Sequence, residues 1–150
     1  MTIHPYFLEA IYENSRCQRL PLFPNITSLR ADFHDYGWEM LPSFLESCPN
    51  LKHLSLLQKY YIYRVEKVIN VPEPRCFLPS LEFVEIKEKT LREIDEAREM
   101  KLVSYLLEKS TILKKLTLSL YPLREEKVSA ILKKCLSFPT LSPSCQVVVL

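Results

Sequence analysis

Four segments of the chain repeat one spacing of apolar residues, with hydrophobic side chains at the first, fourth and sixth positions. The segments begin at Ile26, Leu51, Leu81 and Leu113, so the spacing recurs after 25, 30 and 32 residues. The last two apolar positions of each segment enclose a polar one, as on a strand whose successive side chains point to opposite faces. The pattern therefore predicts four short strands that each bury one face.

Proline marks the start of the first three segments. Pro24, Pro49 and Pro79 each lie two residues before the leading apolar residue. Proline disfavours helix at the residue before it and lacks a backbone donor, so it ends one element and favours an extended one. Thr111 has the corresponding place in the fourth segment, whose start we expect to be less sharply defined.

Amphipathic helix patterns lie between the strand segments. The apolar stripes are Leu41, Phe44, Leu45 and Cys48, then Met100, Val103, Leu106 and Leu107, then Val128, Ile131, Leu132, Cys135 and Leu136. Residues 145–150 are apolar and β-branched, which predicts a fifth strand. This alternation predicts an α/β fold, a right-handed leucine-rich-repeat solenoid with a curved parallel sheet and helices on the convex side. A three-layer α/β domain is the alternative.

Two segments depart from the repeated pattern. Residues 58–76 contain a tyrosine cluster and two prolines, which we interpret as an irregular excursion. Residues 87–99 are highly charged with both signs, and we expect a solvated loop there, with a partner-recognition loop as the alternative. We divide the chain into a repeat region at 1–76, with an N-terminal cap or remnant repeat, and a region at 77–150 that continues the array.

Composition restricts the function more than the fold. The chain has 150 residues, with one glycine, 11 prolines and a net charge of +2. A lone glycine cannot build the turns that cradle phosphates, and the small charge does not favour nucleic acid or a membrane surface. The start lacks a secretory signal, and no apolar stretch is long enough to span a membrane. Five scattered cysteines suit a reducing compartment, so we expect a cytoplasmic or nuclear protein.

The sequence contains no recognisable catalytic or metal-binding constellation. Its three histidines have no cysteine at ligand spacing, and no serine has the flanking glycines of a nucleophile elbow. Cys48, Cys135 and Cys145 fall on apolar faces, where an inert buried thiol is expected. We therefore predict no catalytic, cofactor-binding or metal-binding residues, and a protein that is not an enzyme.

Several longer motifs resemble a known family. They are residues 41–52, 79–86, 99–110, 113–118 and 142–149. In this order they are similar to the last repeats and the C-terminal FBD domain of plant F-box/leucine-rich-repeat proteins. The resemblance covers nearly the whole chain from about Leu20 onward. It implies that residues 77–150 are the FBD domain.

The resemblance also carries an expectation about partners. In that family an F-box precedes the repeats and docks on the Skp adaptor of a cullin ubiquitin ligase. Only about twenty residues precede the first repeat here, fewer than that helical module needs. The resemblance thus implies a protein-interaction module, the substrate-recognition end of an SCF-type ligase without an F-box. We expect no binding to the Skp adaptor and an unknown protein as partner.

The predicted solenoid indicates where a protein partner binds. Repeat arrays present, along the concave sheet, the residues that alternate with their core leucines. Here these residues are mixed in sign, with Phe83 and Leu57 as apolar members, which is typical of a protein-binding face. The candidate partner-binding residues are Arg30, Asp32, His53, Ser55, Phe83, Glu85, Lys87, Lys115 and Thr117. The plainer interpretation is exposed strand positions without a binding role.

Two other functions are alternatives. Basic residues around Tyr60, Tyr61 and Tyr63 suggest base stacking in a nucleic-acid-binding protein, although the acidic neighbours Glu66 and Glu73 oppose it. An α/β enzyme or small-molecule-binding domain whose site no motif reveals is the second alternative.

Overall fold

The computed structural model of the protein describes residues 2–3, 21–33, 41–59, 78–89, 96–121 and 125–150. These residues form six strands and three helices. The strands are β1 (Thr2–Ile3), β2 (Ser28–Phe33), β3 (His53–Lys59), β4 (Phe83–Lys89), β5 (Lys115–Tyr121) and β6 (Gln146–Val149). The helices are α1 (Leu41–Glu46), α2 (Glu96–Lys109) and α3 (Glu125–Ser137).

All six strands are parallel, and their order in the sheet follows their order in the chain. Each strand therefore pairs only with its predecessor and its successor. The repeated segments pair in register, so that Leu54 lies between Leu29 and Val84, and Val84 is followed by Leu116. The α/β class, the parallel sheet and the strand near the C-terminus are confirmed. The curvature and handedness of a solenoid stay predictions.

An equivalent backbone hydrogen bond lies at the start of each of the central strand pairs. The Lys52 amide donates to the Thr27 carbonyl at 2.8 Å, the Glu82 amide to Lys52 at 2.9 Å, and the Lys114 amide to Glu82 at 2.8 Å. The fourth segment makes this contact although Thr111 replaces the proline, so the expectation of a less defined start is wrong. The neighbouring strand holds the lead-in in place without the proline.

One face of the sheet is buried against the helices. Eight inward residues of β2–β5 are at most 2% exposed: Leu29, Ala31, Leu54, Leu56, Val84, Ile86, Leu116 and Leu118. The helices complete this core with Phe44 and Leu45 of α1, Val103 and Leu106 of α2, and Ile131 and Cys135 of α3. Burying one leucine side chain contributes roughly 1.5–3 kcal/mol. This apolar ladder is therefore the main stabilising feature of the fold.

Polar side chains join the starts of the earlier segments. The Asn50 side-chain amide donates to the Pro24 carbonyl at 2.9 Å. The Ser80 hydroxyl lies 2.7 Å from the Pro49 carbonyl and 2.9 Å from the Leu51 carbonyl. Each contact connects one segment to the segment before it, and so satisfies backbone acceptors that the strands leave unpaired.

The fourth segment has no side-chain donor at this position. Ile112 occupies the place that Asn50 and Ser80 hold in the earlier segments, and an isoleucine side chain cannot donate a hydrogen bond. The buried Ser142 hydroxyl, from the lead-in of β6, donates to the Leu113 carbonyl at 2.6 Å. This bond connects the last segment to the fourth, as the Ser80 hydroxyl connects the third segment to the second.

The predicted irregular segments are shorter than the sequence indicated. β4 continues to Lys89 and α2 begins at Glu96, so the loop prediction is wrong at 87–89 and at 96–99. β3 also continues to Lys59, into the predicted excursion at 58–76. Strand pairing over seven residues extends each strand beyond its apolar pattern. The rest of the excursion, with its tyrosine cluster, lies outside the described residues, as do 90–95, His4, His34 and Gly37.

Candidate interaction surface

The face of the sheet opposite the buried ladder carries all nine candidate residues. Strand pairing arranges them in three rows that run across β2–β5. The first row is Ser28, His53, Phe83 and Lys115; the second is Arg30, Ser55, Glu85 and Thr117; the third is Asp32, Leu57, Lys87 and Ser119. Because neighbouring strands are about 4.8 Å apart, each row spans about 14 Å. We call these twelve residues the outward face.

Exposure varies across the outward face. Arg30, His53, Lys87 and Lys115 are exposed, whereas the other candidate residues are half-buried. Leu57, expected as an apolar contact for a partner, is only 9% exposed. It lies in the third row, paired in register with Asp32 of β2 and Lys87 of β4. Leu57 therefore does not serve as an exposed anchor, and Phe83 is the apolar member that remains.

Two ion pairs lie in the second and third rows. The Lys87 ammonium is 3.1 Å from Glu85 Oε1, and Arg30 Nε is 3.7 Å from Asp32 Oδ1. Each pair joins residues two positions apart in one strand, which point to the same face. Exposed pairs of this kind contribute about 0–1 kcal/mol to stability. Their effect here is to balance positive and negative charge over these two rows.

The first row holds an aromatic pair. The His53 imidazole stacks on the Phe83 ring, with ring centroids 4.9 Å apart and planes 9° from parallel. The Lys114 ammonium lies 5.9 Å from the centroid of Phe83 and 3.2 Å from Glu82 Oε1. A cation within about 6 Å of a ring centroid is attracted by the ring face. Phe83 is thus held in place by neighbours from β3 and from the β5 lead-in.

The lead-in residues before the strands also belong to this surface, although the alternating pattern does not predict them. Lys52, Glu82 and Lys114 each lie directly before a strand, one position ahead of a first-row residue. They lie two positions before the buried Leu54, Val84 and Leu116, so strict alternation would assign them to the inward face and does not predict that they belong to this surface. The signal available in the sequence was the repeated charge at this same offset in three successive segments.

The described cysteines have the properties of structural residues. Burial raises the pKa of the Cys48, Cys135 and Cys145 thiols above the ordinary value of 9.0. At Cys135 a backbone hydrogen bond acts in the opposite direction, with a smaller effect. A thiol that stays protonated at neutral pH is a poor nucleophile and a poor metal ligand. These three thiols therefore offer no basis for covalent catalysis.

The described residues offer no competing chemical site. A cavity of about 210 Å³ between α1 and the lead-ins of β3 and β4 is lined mainly by apolar side chains, and its Ser80 hydroxyl already contacts two carbonyls. Within the described ranges no group of three histidine, cysteine or acidic residues is placed to hold a metal ion. No helix in these ranges is long and apolar enough to cross a membrane.

Comparison with known proteins identifies the family. The family profile described as FBD matches residues 70–118. Relatives in Arabidopsis thaliana include an FBD-associated F-box protein, 54% identical over 100% of this chain and 32% of its own length. An F-box/FBD/LRR-repeat protein is 58% identical over 95% of this chain and 30% of its own length. The chain belongs to the plant F-box/FBD/LRR-repeat family.

Membership of this family confirms the resemblance that the motifs suggested. F-box/LRR-repeat protein 13 of Arabidopsis thaliana is 55% identical over 100% of the chain and 32% of its own length. The chain thus spans about a third of the F-box/FBD/LRR-repeat proteins that it matches. The FBD match covers β4, α2 and the first part of β5, while the boundary after residue 76 stays a prediction. No solved structure matches the chain significantly.

Proposed function

We propose that the outward face binds a protein partner and that the chain is a non-catalytic interaction module. The observation that carries the proposal is the strand register, which gathers nine candidate residues from β2–β5 into three adjacent rows. The opposite face is buried, so this one is left to contact another molecule. Mixed charge with one half-buried aromatic residue suits a protein surface.

The proposed biological role is substrate recognition for an SCF-type ubiquitin ligase. The relatives carry F-box, FBD and LRR-repeat in their names, and the chain matches about a third of their length. In this proposal the 150 residues hold the substrate, in the cytoplasm or nucleus, and the cullin ligase is recruited through an F-box. The chain by itself is not expected to bind the Skp adaptor, which gel filtration of the two proteins together tests.

The proposal includes the architecture of the surface. The strands pair strictly in chain order, which is how a leucine-rich-repeat solenoid is built. Residues 1–76 are then the repeat region, and residues 77–150 are an FBD domain that continues it. In such an array the outward face lies on the concave side, where a partner contacts several segments at once.

Nucleic-acid binding has less support. The tyrosines that suggested base stacking lie outside the described residues. The described surface carries Asp32 and Glu85 beside its basic residues, and carboxylates repel a phosphate backbone.

Two charge-swapped variants test the role of the outward face. Arg30→Glu with Glu85→Lys reverses two charges in the second row and leaves the net charge unchanged. Lys101→Glu with Glu108→Lys makes the same exchange at exposed positions of α2. Each protein is immobilised, incubated with plant extract, and the retained proteins are quantified by mass spectrometry against wild type.

The outward-face variant should lose at least one protein that wild type and the α2 variant retain. Equal retention by all three proteins would remove the outward face as the binding site. For the substrate role, an F-box fused to the chain should promote ubiquitination of the captured protein in a reconstituted ligase. The same fusion carrying Arg30→Glu and Glu85→Lys should not, and equal ubiquitination by both fusions would contradict substrate recognition by this face.

A further inference from the structure

One end of the outward face differs in charge from the rest. We call the residues Lys52, His53, Phe83, Lys114 and Lys115, where β3, β4 and β5 begin, the strand-start patch. Lys52, Lys114 and Lys115 are all exposed, and Glu82 is the carboxylate that accompanies them. In the second and third rows, by contrast, each basic residue named above has an acidic neighbour in its own strand.

Two of these cations are uncompensated. The Lys114 ammonium contacts Glu82 at 3.2 Å, which neutralises that lysine locally. The side chains of Lys52 and Lys115 form no ion pair within the described part of the chain. Lys52 precedes β3 and Lys115 begins β5, so about two strand spacings, or roughly 10 Å, separate them. The half-buried ring of Phe83 lies on the strand between them.

From this arrangement we infer that the strand-start patch binds an acidic segment of a protein partner, with an apolar side chain between two carboxylates. The carboxylates pair with Lys52 and Lys115, and the apolar side chain packs on Phe83 and the outer side of His53. A polyproline-II segment has three residues per turn and rises about 3.1 Å per residue, so carboxylates three residues apart lie on one side, about 9 Å apart, and match the separation of the two lysines. This inference rests on the proposed function and names the chemistry of its partner.

The structure favours an acidic peptide over a nucleic acid at this patch. His53 contacts the Phe83 ring from β3, and Lys114 approaches it from the lead-in of β5, on the other side of β4. A base would have to displace one of them to stack on this ring. Glu85 also lies one row further along β4, in the path of a phosphate backbone that follows the face. A short peptide running across the strand starts avoids Glu85, and the Glu82 carboxylate on its path is already paired with Lys114.

The test uses a peptide probe and matched lysine variants. The probe is acetyl-Ser-Gly-Glu-Leu-Ser-Glu-Gly-Ser-amide carrying a dye, and its control has glutamine in place of both glutamates. Binding to the 150-residue chain is measured by fluorescence anisotropy at low salt, with a dye-labelled ten-nucleotide thymidine strand as a further ligand. The variants are Lys52→Gln with Lys115→Gln, and, on the helices, Lys101→Gln with Lys133→Gln, which remove the same charge from exposed positions.

The acidic probe should bind more tightly than its glutamine control, and added salt should weaken it because the contacts are exposed. The Lys52/Lys115 variant should raise the Kd about fivefold or more, and the helix variant by less than about twofold. Phe83→Ala should also weaken the acidic probe, with an unchanged circular dichroism spectrum showing that the sheet is intact. Equal binding of both peptides, equal loss in both lysine variants, or tighter binding of the thymidine strand would each overturn the inference.

Failure here is distinguishable from failure of the proposed function. The extract experiment changes only Arg30 and Glu85, which lie outside the strand-start patch. Suppose that the outward-face variant, Arg30→Glu with Glu85→Lys, loses its partner while the acidic probe does not bind wild type. The outward face then stays the proposed binding surface, and the acidic-segment inference falls. If neither experiment shows binding, both fall.

Discussion

The two faces of β2–β5 are made by the same strands under opposite constraints. The buried inward side chains are all apolar and at most 5% exposed, whereas the outward ones include both charges, hydroxyls and an aromatic pair. Water exclusion restricts the inward positions to side chains that fill the core. The outward positions are free of that restriction, so their residues can be determined by what they bind. The contrast assigns stability to the inward face and, in the function we propose, recognition to the outward face.

The largest expected effect comes from placing one charge on each face in turn. Leu54→Asp puts a carboxylate at a position that is 2% exposed, and should lower the free energy of unfolding by more than about 4 kcal/mol or prevent folding. Ser55→Asp introduces the same group on the adjacent residue, between Arg30 and Glu85. It should change the free energy of unfolding by less than about 1 kcal/mol. Urea denaturation followed by circular dichroism measures both. Similar losses in the two variants would mean that the strand register is wrong.

The inward face was predictable because its physics is periodic. Apolar residues at alternating positions, recurring in four segments, predicted these four strands, their parallel pairing and most of their buried side chains. The ends of the strands were less predictable. Lys87 and Lys89 read as loop residues, but pairing with β3 and β5 holds them in β4. Local composition does not contain the contribution of a neighbouring strand.

The sequence predicted which residues lie on the outward face. It did not predict how their side chains are buried or which of them contact one another. Alternation alone selected the nine residues, and the register then placed them in rows. Alternation did not predict the burial of Leu57 or the contact of Lys114 with the Phe83 ring. The Lys114 contact depends on the register between β4 and the lead-in of β5, which the pattern within a single strand does not contain. The strand-start patch could therefore be recognised only in the structure.

A smaller effect should come from the connection between the last two segments. Ser142→Ala removes the hydroxyl that donates to the Leu113 carbonyl and leaves that acceptor unsatisfied in a buried site. The expected loss is about 1–2 kcal/mol in the free energy of unfolding. Ser144→Ala, at an exposed position two residues later, is the matched control and should have almost no effect. A loss below about 0.5 kcal/mol for Ser142→Ala would show that the carbonyl finds another donor and that the leucine ladder alone joins these segments.

The smallest effect on the free energy of unfolding is expected from the Lys87–Glu85 ion pair of the outward face. Lys87 forms the shorter of the two ion pairs, 3.1 Å from Glu85, and Lys87→Met removes it while keeping a long side chain. Because the Lys87 and Glu85 side chains are 50% and 42% exposed, the free energy of unfolding should change by less than about 0.5 kcal/mol, as it should for Lys101→Met on α2. The urea midpoints of the variant and the wild type are compared at low and at high salt. Because salt screens an exposed ion pair, any difference between the two proteins should shrink at high salt. A loss above about 1 kcal/mol would mean that this ion pair supports the sheet. The outward face would then contribute to stability as well, against the contrast drawn above.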